Sequence, residues 1–432
     1  MANPVPEIPS APLPRGLARP VVELCERLER AGVAAYLQGE GLLDAWLGTT
    51  RAQPPTHSIV CLGPPARLLA TLPTAVVTGE RATRLTQASD AGPVDLIPIA
   101  DGTIEAALER FGLAALAIAV RPAENAWADP GAVRDALAKH ELPLLPGRPN
   151  PFVAAPRRFW IAALLIAEYG LEPTRALVDA AHAALPEVAE RLPGGAPARR
   201  ILDRILACPA PARALAFLRE CGASPAILPG LDPAMEERLE TLAALPSLRW
   251  AAYLRGTATA RALARLRMPQ GLARRIGRLQ ESHPLDRTIE GARDAQIRRA
   301  MTRLSPDELD GLIAWRRSEL ASEPAAESRD RGEPGEAGPG PGPGAVARDR
   351  LAKIESAIDR IRHQAATVDS MRTLALGGGD VMRILAAGPG PHVGRALAHL
   401  ARVIAEDPAR NTPAALEAEL RAWQAAAGER VD

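Results

Sequence analysis

AYLQGEGLLDAWLG, residues 35–48, reads as a strand, a glycine turn and a helix. Tyr36-Leu37 end an apolar run, Gly39 and Gly41 let the chain reverse sharply, Leu42-Leu43-Asp44 open a helix, and Leu47-Gly48 close it. A helix entered through glycines has free amides at its first turn, which is the layout of a phosphate cradle. Further apolar runs at 33–37, 58–62, 75–78 and 94–99, after an amphipathic segment at 21–31, predict a small mixed sheet in an α/β head. Residues 115–120 read as another strand or as the helix that precedes one.

Composition points beyond the head to helix. The chain has 432 residues, enough for two to four domains; 47% are hydrophobic but only 3% aromatic. Ala and Leu dominate the apolar set and favour helix over sheet, so the whole is expected to be mostly helical. Its cations are nearly all arginine, with lysine only at Lys139 and Lys353, and its net charge is +1. A balance so near zero argues against binding nucleic acid by bulk charge, so any RNA site must be a local patch. Cys25, Cys61, Cys208 and Cys221 form no CxxC pair, which gives no zinc site and suits buried thiols of a reducing compartment. With no apolar signal stretch and no run of 18 apolar residues, a soluble cytoplasmic protein without a membrane partner is expected.

From residue 151 the pattern becomes helices punctuated by proline, at 157–169, 174–184, 198–207 and 210–221 and onward to about 320. Residues 322–345, SEPAAESRDRGEPGEAGPGPGPGA, have almost no apolar side chains and read as a flexible linker. The expected organisation is a disordered leader at 1–18, a head at 19–148, a neck at 149–232, a body at 233–321, the linker, and a helical tail at 346–432.

The opening stretch followed by PPTHSIVCLG, residues 54–63, resembles the head of the class II tRNA nucleotidyltransferases and bacterial poly(A) polymerases. Their pattern is a strand ending in Gly-Gly, then x-Val-Arg-Asp, a helix, Leu-Gly, and a second strand bearing Asp-x-Asp. RFGLAALAIAV (110–120), WADPGAVRDAL (127–137), PRRFWIAALLIAEYGLEP (156–173) and PARRILDRILACPAPARALAFLRECGASPAILPGL (197–231) are similar to later segments of the family in the same order. LALGGGDVMRILAAGPGPHVGRALAHLARVIAEDPARNTPAAL (374–416) is similar to its tail, and this match is the most intact. The resemblance implies an α/β nucleotidyltransferase-like head followed by an all-α neck, body and tail, with tRNA 3′-end processing as the setting.

It also implies chemistry that these residues only partly supply. Nucleotide addition needs Mg²⁺ held by carboxylates, and Asp-x-Asp on a strand places two on one face. The matching positions fall within Thr56-His57-Ser58-Ile59, where none is acidic; His57 and either Ser58 or Ile59 replace the pair. Asp95 matches the third acidic position and is the candidate catalytic residue. Gly39, Gly41 and Asp44 are the candidate cradle residues, although Glu40 and Leu43 stand where the family has Gly and Arg. At the base-reading helix Ala155 replaces Asp, Arg158 retains the Arg, and Ile161 and Leu164 replace later arginines; Gly112 and Ala114 replace Thr and Asn. Arg255-Gly256 stand at the place of the His-Asp dyad that many relatives carry, so no phosphohydrolase is expected. In the tail, Gly388, Gly390, His392, Gly394 and Arg395 are the candidate RNA-binding residues.

The expected function is therefore that of a catalytically degenerate family member that binds RNA, chiefly tRNA, with no cofactor. A nucleotide or a protein partner is kept open. Two alternatives stand beside it: an active Mg²⁺-dependent enzyme built on Asp44, Asp90 and Asp95, and a protein-interaction scaffold. Arginines at 199, 200 and 204, at 274, 275 and 278, and at 298–299 are spaced to form basic stripes on helices. His140, His182, His283, His363 and His399 lack acidic neighbours at ligand spacing and read as structural or exposed.

Overall fold

The computed structural model describes residues 13–49, 55–78, 84–130, 133–145, 149–289, 293–322, 343–406 and 408–428. Two compact units divide the chain, Met1–Glu281 and Ser282–Asp432. The first opens with helix α1 (Arg19–Arg30), strand β1 (Ala34–Gln38), helix α2 (Glu40–Leu47) and strand β2 (His57–Leu62). Helix α3 (Pro65–Thr71), strands β3 (Val76–Thr78), β4 (Arg84–Gln87) and β5 (Val94–Ile99), helix α4 (Ile104–Glu109) and strands β6 (Ala119–Arg121) and β7 (Ala126–Ala128) follow. The strands form one mixed sheet in the order β3-β4-β5-β2-β1-β6-β7. β2 runs antiparallel to β1 and parallel to β5.

Register explains both faces of this sheet. Val120, Leu37, Ile59, Leu96 and Leu85 lie side by side across five strands, and all are buried. One residue along each central strand, the side chains alternate to the opposite face and become polar. Arg121 clamps α1 to the sheet, with Nε and Nη2 donating to the two oxygens of Glu29 at 2.7 Å each. Strand β4, residues RLTQ, was not foreseen: four residues with one buried apolar side chain, Leu85, carry too little alternation to be read. In the 115–120 segment a 3₁₀ turn (Ala114–Leu116) precedes β6, so the strand begins at its end.

The remainder of the first unit is helical. Helix Arg158–Tyr169 is buried on nearly every side, with the Phe159 ring centred 4.7 Å from, and tilted 44° against, that of Phe152 on the short helix Pro151–Ala154. Asn150 fixes that helix at its start, accepting from Phe152 N and donating to Ala180 O. Arg249 is buried yet satisfied by the carbonyls of Leu206, Cys208 and Leu242, so its charge is offset by dipoles. Burial holds the thiols of Cys25, Cys61 and Cys221 high, the last two at about 12, while Cys208 is only half-buried.

In the second unit, helix Pro306–Ser322 packs on helix Pro343–Thr373. Arg316 bonds both oxygens of Asp286 and also Glu319, which meets His283 Nε2 at 3.1 Å. His399 likewise meets Glu419 at 2.9 Å, so two of the histidines find carboxylates far away in sequence. Helices Gly378–Ile384, Pro391–Glu406 and Pro413–Gly428 close over Leu376, Val381, Leu400, Leu416 and Leu420. Most of the expected linker, and the expected leader up to residue 12, lie outside the described residues. Among the described residues no helix is long and apolar enough to cross a membrane.

Candidate functional site

Gly39, at φ 86°, turns β1 into α2 in a backbone region that other residues rarely adopt. The amide two residues on is already engaged: Gly41 N donates to Thr56 O at 3.3 Å. The His57 ring lies against Gly41, so closely that a Cβ there would collide with it. Burial lowers the affinity of that ring for a proton below its ordinary value of 6.5, with Asp44 opposing, which leaves a neutral imidazole at neutral pH.

Glu40 does not project into an open cradle. Its carboxylate accepts from Arg204 Nη2 at 3.1 Å and from Thr56 N at 3.3 Å. Arg204, on helix Gly195–Ala207, also grips Glu168 bidentately at 2.8 and 2.9 Å. Burial works against the Arg204 cation, but the two carboxylates outweigh it and raise its affinity for the proton. The Tyr169 hydroxyl donates to Asp44 Oδ1 at 2.9 Å. The turn is thus fastened to the neck helices by an ionic bridge and a hydroxyl, at the place where the resemblance sets a triphosphate.

The polar row across the sheet reads Thr86, Asp95, Ser58, Gln38. Ser58, and not His57 or Ile59, therefore shares the face of Asp95. His57 and Ile59 belong to the opposite side, and Ile59 is fully buried. Ser58 thus presents a hydroxyl, not a carboxylate, beside Asp95. Asp95 is spoken for at both oxygens: Arg84 Nη1 donates to Oδ2 and Thr86 Oγ1 to Oδ1, each at 3.0 Å. Gln38, buried, donates to Leu116 O at 2.7 Å. These residues do not fit a hard divalent cation, which wants several carboxylate oxygens. Among the described residues no three His, Cys, Asp or Glu side chains are grouped to hold a metal.

Beside this row lies a cleft of about 450 Å³ whose walls include Ile97, Ile99, Phe111 and Ile161, with Arg110, Arg157 and Arg158 at its edge. Arg158 is turned into the protein. Its Nη1 donates to Pro151 O at 2.9 Å and its Nη2 to Arg110 O. The guanidinium covers Gly112, where φ is +74° and a side chain would collide with it. Gly112, read as a lost threonine, is thus the residue that lets Arg158 tie the 110–112 turn to the neck.

In the tail, Gly388 and Gly390 precede helix Pro391–Glu406, and Gly394 lies within it. A Cβ at Gly388 or Gly394 would meet nothing within 4 Å, so packing does not require glycine at either. The His392 ring covers Gly390, with Nε2 buried and without a hydrogen-bond partner; Arg395 is exposed. Asp380 caps the preceding helix, accepting from Gly377 N at 3.1 Å. Two of the expected basic-stripe arginines are consumed internally: Arg199 pairs with Asp203 at 2.7 Å, and Arg204 with the turn. Arg84, Thr86 and Tyr169 were not singled out from sequence, because nothing local marks a side chain whose partner lies on another element.

No protein-family profile matches this chain, and no curated protein sequence matches it. Solved structures do. The Bacillus stearothermophilus CCA-adding enzyme in complex with CTP aligns over 95% of this chain and 98% of its own, with a TM-score of 0.60 at 17% identity. The Thermotoga maritima CCA-adding enzyme complexed with tRNA aligns over 95% and 97%, with a TM-score of 0.59 at 15% identity. A tRNA-processing enzyme aligns over 80% of this chain and 99% of its own, with a TM-score of 0.57 at 14% identity. From head sheet to helical tail, the chain has the fold of the CCA-adding enzymes.

Proposed function

We propose that this protein binds RNA, with tRNA as its principal ligand, on the scaffold of a CCA-adding enzyme and adds no nucleotide. The observation that carries the reading is the polar row of the sheet. Its single carboxylate, Asp95, has both oxygens taken by Arg84 and Thr86, and Ser58 stands beside it where an aspartate is needed. The Glu40–Arg204–Glu168 bridge supports the same conclusion, since a carboxylate in the turn repels a triphosphate and already occupies its nearest cation. In the tail, Gly388 and Gly394 are bare without a packing reason, next to a helix N-terminus and the exposed Arg395. That arrangement suits approach of an RNA phosphate, which positions without reading sequence.

Fluorescence anisotropy with labelled tRNA in the presence of EDTA tests the reading. Binding is expected without metal, weakening as salt rises, and falling when the chain is truncated after residue 345. Absence of tRNA binding at low salt contradicts it and leaves a protein-interaction role.

A further inference from the structure

Past Asp95 the open face of the head sheet turns from polar to apolar. Strand β4 pairs with β5 only from Gln87↔Val94 to Leu85↔Leu96, so Ile97 and Ile99, on the face of Asp95 by the period of two, run beyond its last pair. Both stay half-buried, and with the half-buried Phe111, Leu116 and Ile161 they wall the cleft of about 450 Å³. Ile161, on helix Arg158–Tyr169, adds an apolar wall at a position where the resemblance places an arginine. Apart from Arg110, Arg157 and Arg158, every side chain lining the cleft is Ile, Leu, Phe, Pro or Ala; among the described residues no acid, amide, hydroxyl or imidazole lines it.

Two of the three arginines are available at the mouth. Arg158 is held by the carbonyls of Pro151 and Arg110. Arg110 and Arg157 are exposed, and neither has a carboxylate partner among the described residues. This is the reverse of the treatment given to Arg121, Arg199 and Arg204, each matched to an acid.

A concave apolar wall left half-open to water favours an apolar occupant of small-molecule size. Guanidinium forks without counter-charge at its mouth favour an anionic end, and a carboxylate matches such a fork with one charge and two oxygens. A nucleotide fits this surface less well. The donors and acceptors on its base would lose water with no lining side chain to replace it, and its triphosphate would bring several negative charges to two cations.

We infer that the cleft walled by Ile97, Ile99, Phe111 and Ile161 binds an amphipathic monocarboxylate, with its chain against the apolar wall and its carboxylate at Arg110 and Arg157. This goes beyond the RNA-binding reading and does not depend on it.

The test is isothermal titration calorimetry on the full chain, without RNA or metal, using octanoate, octanol, acetate and CTP. The wild type is compared with the double variant Arg110→Ala, Arg157→Ala and with Ile161→Gln. Octanoate is expected to bind at one molecule per chain and octanol about tenfold more weakly, while acetate and CTP give no binding heat at the same concentration. The double arginine variant should lower octanoate affinity about tenfold and leave octanol unchanged, which a folding defect would not do. Ile161→Gln should weaken octanoate and octanol alike, by about fivefold. Absence of octanoate binding overturns the inference. So does equal binding of octanol and octanoate by the wild type, or an unchanged octanoate affinity in the double variant, since either removes the carboxylate from the arginines. Unchanged affinities in Ile161→Gln place the ligand elsewhere, and CTP that displaces octanoate at similar affinity makes the cleft a nucleotide site; both overturn it as well. These results bear on the cleft alone, and the tRNA anisotropy decides the RNA-binding reading separately.

Discussion

Glu40 is the residue at which the head departs most plainly from a phosphate cradle, and its partners make the departure testable. Arg204 holds Glu40 and Glu168 together, and the Glu168 side chain is only 9% exposed. Arg204→Ala removes two charge-assisted hydrogen bonds from a nearly buried carboxylate and is expected to cost about 2 kcal/mol or more in urea unfolding. Glu40→Gly leaves the Arg204–Glu168 pair intact and should cost about 1 kcal/mol or less; equal losses in the two variants would contradict the bridge as drawn. Glu29 offers a second test. Its hydrogen bonds from Arg121 hold its pKa below the ordinary 4.5, so the pairing stabilises the fold fully above that value and is lost as pH falls through the lowered one. Glu29→Gln should therefore destabilise by about 1 to 2 kcal/mol at neutral pH, with the gap to wild type closing as the pH falls below the ordinary 4.5 and through the lowered pKa. A gap independent of pH would show that the carboxylate charge contributes nothing. Sequence displayed Glu40 as a wrong residue in the turn but could not display Arg204 as its partner, because 164 positions separate them.

Elements were legible in proportion to their length and their pattern. Strands β1, β2, β3 and β5 were readable as apolar runs bounded by turns, and helix Arg158–Tyr169 as a long apolar stretch ended by Gly170. Strand β4 escaped, and with it the two side chains, Arg84 and Thr86, that engage Asp95. The face assignment of β2 escaped as well, because a one-residue choice of register exchanges Ser58 for His57 and only the pairing with β5 decides it. Glycines divide in the same physical way. Gly112 has positive φ and lies under the Arg158 guanidinium, so Gly112→Ala should lose about 2 kcal/mol or more from backbone strain and displacement of that side chain. Gly394 sits inside a helix with open space around it, so Gly394→Ala should gain up to about 1 kcal/mol of helix stability while weakening RNA binding. Thermal melts paired with anisotropy check both; a destabilised Gly394→Ala protein would assign that glycine to packing.

The whole molecule has the architecture of the CCA-adding enzymes, and the loss of their metal chemistry is the part that is proposed. The succession of α/β head and helical segments was legible because composition and hydrophobic period differ between them, and 95% of the chain aligns with CCA-adding enzymes at 17% identity or less. Such a fold survives because its buried rows, Val120 to Leu85 in the head and Leu376 to Leu420 in the tail, need only apolar side chains of suitable size. A metal site has no such latitude, since a hydroxyl cannot replace a carboxylate. The most direct measurement incubates the purified protein with tRNA lacking its 3′ end, labelled CTP or ATP, and Mg²⁺ or Mn²⁺. The account predicts that the tRNA is bound and that no label enters it. Incorporation that is abolished by Asp95→Ala would contradict the account and restore Asp95 as a catalytic residue.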